Sequence, residues 1–134
     1  MLQAAVAASQ QESEKLGISK PLIVGITVLT SEEKKDNIQT LVLQRAILAK
    51  EAGCDGVVAS VDEAKIIRQK LGENFIIVTP GVRPSGSDPG DQKRIATPKE
   101  AVLSASNFLV VGRPIIQSDS PLKSARKILD EIEK

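Results

Sequence analysis

Apolar positions change spacing several times along the chain, and each change marks an element. Leu2 to Leu16 is rich in Ala, Gln and Glu and ends at Gly17, which predicts a helix closed by a C′ glycine. Pro21 to Val28 is a nearly continuous β-branched run, the pattern of a strand covered on both faces. After the polar stretch Thr30 to Asp36, Ile38, Leu41, Val42, Ala46, Leu48 and Ala49 predict a second helix reaching about Ala52. Asp55 to Ser60 reads as a strand. Ser60 and Glu63 then have capping-box spacing for a helix from Val61 to Leu71, stopped by Gly72. Phe75 to Thr79 is a third strand and Phe108 to Val111 a fourth. Between them Thr97, Pro98 and Glu100 supply the N-cap, N1 and N3 residues of another helix. Ser120-Pro121 opens the last helix, with an apolar face of Leu122, Ala125, Ile128, Leu129 and Ile132.

The predicted order is one helix followed by four strand–helix units, an α/β pattern that argues for parallel strands joined by right-handed crossovers. An eight-stranded (β/α) barrel takes about 250 residues, so four units in 134 residues amount to half of one. A small open sheet with helices on both faces has the same pattern of elements.

Composition narrows the chemistry. Lys plus Arg is 18 and Asp plus Glu is 17, a net charge of +1 that leaves no electrostatic footprint for nucleic acid or an anionic membrane. With two Phe as the only aromatics, base stacking is disfavoured. His is absent and Cys occurs once, which excludes imidazole catalysis, a zinc site built on those ligands and an internal disulfide. No metal and no cofactor is expected. The N-terminus lacks the basic start of a targeting peptide, and no apolar run approaches a membrane span, so the expected location is the cytoplasm.

Two segments carry candidate chemistry, each placed where the chain leaves the C-terminal end of a predicted strand. Thr79-Pro80-Gly81-Val82-Arg83 heads a loop running from 80 to 97, long enough to suggest a function. Gly112-Arg113-Pro114-Ile115 follows the last strand. The last two strand–helix loops of (β/α) barrels commonly bind phosphate through backbone N–H groups and a short helix. Arg83 and Arg113 add bidentate, charge-assisted donors, and Gly81 and Gly112 permit close backbone approach. Either segment alone reads as a turn and a surface charge. On consecutive strands they favour an anion site.

The stretch from Thr79 to Pro98, followed by Val110 to Ile115, closely resembles the orotidine 5′-phosphate decarboxylase family. Ile26 to Ser31 is similar to the end of that family's fifth strand, and Met1 to Ala5 to the helix after its fourth. The resemblance covers essentially all of residues 1–134. It implies a single partial domain, the C-terminal half of a TIM-type (β/α)8 barrel: a helix, then strands five to eight with their helices. It further implies a pyrimidine nucleoside monophosphate as ligand. Thr30 sits beside the pyrimidine, Arg83 binds the phosphate, Gln92 reaches over from the loop, and Gly112 and Arg113 complete the phosphate cradle. Loop 80–97 acts as a lid, converting remote phosphate binding into positioning and water exclusion.

The family's Asp-x-Lys-x-x-Asp motif, on the third strand of its barrel, has no counterpart here. In the family its Lys protonates the carbanion left at C6. Asp62-Glu63-Ala64-Lys65 is the nearest string, with the wrong spacing and a helical setting. No catalytic residue is therefore expected in this chain, and alone it is expected to be inactive. Its open strand edges are expected to recruit the missing N-terminal half or a second copy, as a homodimer. Two other readings stand beside this one: another phosphate-sugar lyase of the same barrel superfamily, and a non-catalytic phosphate-binding or assembly subunit.

Overall fold

The computed structural model describes residues 1–28, 37–85 and 96–133. The described elements are α1 (Leu2–Leu16), β1 (Val24–Ile26), α2 (Ile38–Glu51), β2 (Gly56–Val58), α3 (Val61–Leu71), β3 (Ile76–Thr79), α4 (Pro98–Leu103), β4 (Phe108–Leu109), α5 (Arg113–Ile116) and α6 (Pro121–Glu133). Local chemistry explains the boundaries. Gly17 takes φ 64° after α1, and the N–H groups of Gly17 and Ile18 return to the Glu14 and Ser13 carbonyls. At α4, Thr97 Oγ1 accepts from the Glu100 N–H at 3.2 Å while the Thr97 N–H donates to Glu100 Oε2 at 2.8 Å. That reciprocal pair holds the Glu100 carboxyl below its usual range, because the backbone N–H favours the ionised form.

The four strands are all parallel and lie in chain order, β1-β2-β3-β4. A doubly wound sheet reverses its strand order at a switch point; this one winds in one direction, as a barrel does. The open-sheet alternative with helices on both faces is therefore not what forms. Gly25, Val57 and Ile77 share a row in the ladder. Val57 and Ile77 are fully buried, in one cluster with Val42, Ala46, Ala49, Ala64 and Ile67 from α2 and α3. A Cβ at Gly25 would come within 3.3 Å of the Ala49 Cβ, so the glycine lets α2 lie close on β1.

The opposite face is a different surface. Ile26, Val58, Val78 and Phe108 form the adjoining row, and here Ile26 is 66% and Phe108 54% exposed. The expectation that the first strand is covered on both faces is thus wrong: helices cover one side, and the residues a second layer would touch stand open. The same reason corrects α6. Of its apolar face only Ile128 is buried, while Leu122 and Leu129 are exposed. Ladder pairing is also shorter than the apolar runs, trimming the expected strands to between two and four residues.

Polar ties brace the entry ends of the strands. Lys20 Nζ lies 2.7 Å from Asp55 Oδ2, which also accepts from the Ile23 N–H at 2.7 Å. Lys20 first, then that N–H, holds the Asp55 carboxyl below its usual range. The Arg68 guanidinium, buried, donates to the carbonyls of Gly72, Phe75 and Ala105 and to Asn107 Oδ1 at 2.6 to 2.9 Å. Asn107 Oδ1 also accepts from the Ile77 N–H at 2.9 Å, so one side chain of α3 fixes the starts of both β3 and β4. Among the described residues no helix is long and apolar enough to cross a membrane.

Candidate functional site

The two segments singled out in the sequence leave the sheet at the same end, from adjacent strands. Thr79 pairs with Leu109, and the Val110 N–H donates to the Thr79 carbonyl at 2.9 Å, carrying the ladder one step further. Beyond it the two chains diverge into the loops that hold Arg83 and Arg113.

On the β3 side, Gly81 turns the chain with φ 76°, a conformation that a side chain would strain. Val82 is completely buried and bridges Ala96 in parallel, and the Arg83 N–H donates to the Ala96 carbonyl at 2.9 Å. This closes the base of loop 80–97 by holding Val82 and Arg83 against Ala96. Arg83 is 7% exposed, with Nη1 donating to the Val82 carbonyl at 2.9 Å. A cation so withdrawn from water interacts more strongly with an arriving anion than one on the surface.

On the β4 side, Gly112 caps the four-residue α5, a helix absent from the sequence expectation because its four residues are too few to show a period. Its carbonyl accepts from the N–H groups of Ile115 and Ile116 at 2.9 and 3.1 Å. A Cβ added to Gly112 would meet nothing within 4 Å, so this backbone borders open space. Arg113 follows at the first helical position, half-buried, ahead of Pro114.

Arg83, Gly112 and Arg113 are thus brought to one end of the sheet. Thr30 and Gln92, with the middle of loop 80–97, lie outside the described residues. A further buried polar pair sits at the C-terminal end of β2: the Ser60 hydroxyl donates to the Glu63 carboxylate, and the two residues are 2% and 1% exposed. Its signal was present as capping-box spacing, but the Ser60 hydroxyl goes to the carboxylate and makes no cap bond to the backbone. Asp62 and Lys65, from the string nearest the missing motif, are on exposed positions of α3, outside the sheet. Among the described residues no cluster of acidic or Cys side chains is placed to hold a metal, and Cys54 is buried just ahead of β2.

Comparison with known proteins places this geometry. Residues 1–128 match the family model described as orotidine 5′-phosphate decarboxylase / HUMPS family. The chain belongs to that family. It is 46% identical over 142 residues to the orotidine 5′-phosphate decarboxylase of Moorella thermoacetica, covering 99% of this chain and 56% of that one. It is 47% identical over 135 residues to the enzyme of the same name from Vibrio cholerae serotype O1, of which it covers 57%. Among solved structures, the orotidine 5′-phosphate decarboxylase of Lactobacillus acidophilus superposes with a TM-score of 0.81 at 31% identity, over 100% of this chain and 58% of that one. The chain spans about half the length of the curated relatives it matches. Its parallel sheet and helices are half of a decarboxylase-family barrel.

Proposed function

We propose that this chain carries the phosphate-binding half of an orotidine 5′-phosphate decarboxylase, the enzyme that converts orotidylate to uridylate in pyrimidine biosynthesis. The observation that carries the reading is the joint placement of Arg83 and Gly112-Arg113 at one end of adjacent strands β3 and β4, tied by the Thr79–Val110 bond. The Arg83 and Arg113 guanidinium groups and the backbone at Gly112 receive the 5′-phosphate of a pyrimidine nucleoside monophosphate. Thr30 lies beside the pyrimidine, Gln92 reaches it from loop 80–97, and that loop serves as the lid. The chain's contribution is to hold a dianion far from the reacting carbon, so that phosphate affinity is converted into positioning of the ring.

None of the 134 residues supplies the acid and base groups of Asp-x-Lys-x-x-Asp, so the chain alone is inactive and needs a second half to complete the barrel. That same lack favours a second reading, a phosphate-binding subunit without catalysis. Titration of the 134-residue chain with uridine 5′-monophosphate tests the reading. Saturable binding is expected, and Arg113→Ala and Arg83→Ala each weaken it about 10- to 100-fold, the worth of a charged hydrogen bond. No binding at millimolar nucleotide, or binding indifferent to both substitutions, overturns the proposal.

A further inference from the structure

Ala105 takes φ 64° directly after α4, a left-handed conformation in which a Cβ is strained. Its N–H returns to the Val102 carbonyl at 2.9 Å, and the Ser106 N–H to the Ala101 carbonyl at 3.2 Å. Helix ends of this form usually place glycine at that position. A strained residue held in place directs attention to what its turn delivers. Here it delivers the next side chain. Ser106 Oγ lies 2.6 Å from Thr79 Oγ1, while the Ala105 carbonyl is held by the Arg68 guanidinium at 2.9 Å.

Thr79 is the last residue of β3, completely buried, and stands on the same side of the sheet as Ile77. Its carbonyl accepts from the Val110 N–H, and Pro80, next in the chain, has no N–H to continue the ladder. The Thr79 hydroxyl therefore adds a second anchor where the chain departs toward Arg83. The return is anchored by the same helix. Loop 80–97 ends at Thr97, the N-cap of α4, and Ala96 just before it accepts the Arg83 N–H. Six-residue α4 thus reaches from the loop's return, at its first turn, to the loop's departure, at Ser106.

We propose that Ser106 is a positioning residue for the phosphate site: through Thr79 Oγ1 it fixes the departure of the chain toward Arg83, with α4 as the strut and Ala105 as the turn that aims it. Its effect on affinity rests on the phosphate reading above; its effect on the Arg83 backbone does not. A bidentate donor works only when held within about 0.5 Å of its productive place, and the β-branched Thr79 side chain is stiff enough to pass such a constraint on.

A mutant cycle on uridine 5′-monophosphate binding by the 134-residue chain reads the effect. Ser106→Ala and Thr79→Val are each expected to weaken binding about 3- to 10-fold, the worth of a neutral hydrogen bond. The double variant is expected to bind no worse than either single one, and Ser106→Thr, which keeps the hydroxyl, to restore affinity. Coupling to the arginines separates positioning from a general loss of fold. In an Arg83→Ala background Ser106→Ala has no further effect; in an Arg113→Ala background its full effect remains. Losses that add in both backgrounds overturn the proposal, as does unchanged affinity in folded Ser106→Ala or Thr79→Val chains. Thr79→Val decides the case in which Ser106→Ala does not fold. Hydrogen exchange gives a readout without nucleotide: the Arg83 amide quickens in either variant, while the Asp55 amide, bonded to Ile23 at the other end of the sheet, does not. An unchanged Arg83 amide overturns the proposal. A chain that binds no nucleotide yet shows the faster Arg83 amide sinks the phosphate reading alone. A chain that binds nucleotide with the Arg83 amide and the affinity both unchanged sinks this proposal alone.

Discussion

On the helix-bearing side of the sheet, Val57 and Ile77 are fully buried beneath α2 and α3; one step along the same ladders, Ile26 and Phe108 stand more than half exposed. These are residues of the same chemistry on strands of the same kind, and their burial differs by which layer lies above them. The covered face supplies the core that folds the chain. The open face keeps the shape of a barrel interior without the strands that line the other half. Strand pairing and helix packing can therefore be complete while one hydrophobic face stays uncovered by the described residues.

Truncation on either face gives the sharpest contrast. Ile77→Ala is expected to cost about 3 to 4 kcal/mol, from lost burial and the cavity left beneath α2 and α3. Ile26→Ala is expected to cost less than about 1 kcal/mol in the isolated fold, because its side chain is already in contact with water. Urea denaturation measures both, and equal losses would erase the distinction between the faces. Next in size is Arg68→Met, expected to cost about 2 to 3 kcal/mol by leaving the buried carbonyl of Phe75 without its donor and Asn107 Oδ1 with the Ile77 N–H alone. This ties the covered face to the entries of β3 and β4, so hydrogen exchange at Ile77 should quicken while α1 is unaffected.

The smallest effect concerns Asp55. Its folded-state pKa lies below the unfolded value, so its contribution is fully present above the ordinary carboxylate range near pH 4. The contribution is lost as pH falls through the depressed folded value. Asp55→Asn is expected to remove about 1 kcal/mol or less at neutral pH and to flatten the stability profile below about pH 4. An unchanged acid limb would show that the Lys20 bond carries no net stability.

Much of this was legible from residue types alone. Glycine stops, the Thr97-Pro98-Glu100 signal and the β-branched runs locate the elements, and α1 begins and ends where its pattern does. The two arginine loops were legible because each follows a strand directly. What escaped depends on distant residues. Arg68 acts on Ala105 and Asn107 from 37 and 39 positions away, a separation with no local trace. The exposure of Ile26 and Leu129 is invisible in a pattern that reports hydrophobicity and says nothing of which layer is present. Four-residue α5 has no period to read, and Ser60 was seen as a helix start before its carboxylate partner proved buried.

The central claim is that this chain holds the phosphate half of the site and none of the groups that exchange carbon dioxide for a proton. It is tested most directly by following decarboxylation of orotidine 5′-phosphate with the 134-residue chain alone, then after adding the separately produced N-terminal half of the Moorella thermoacetica relative. The account expects no turnover from the chain alone, and turnover on mixing that Arg113→Ala suppresses. Turnover by the chain alone, abolished by Arg113→Ala, would contradict it.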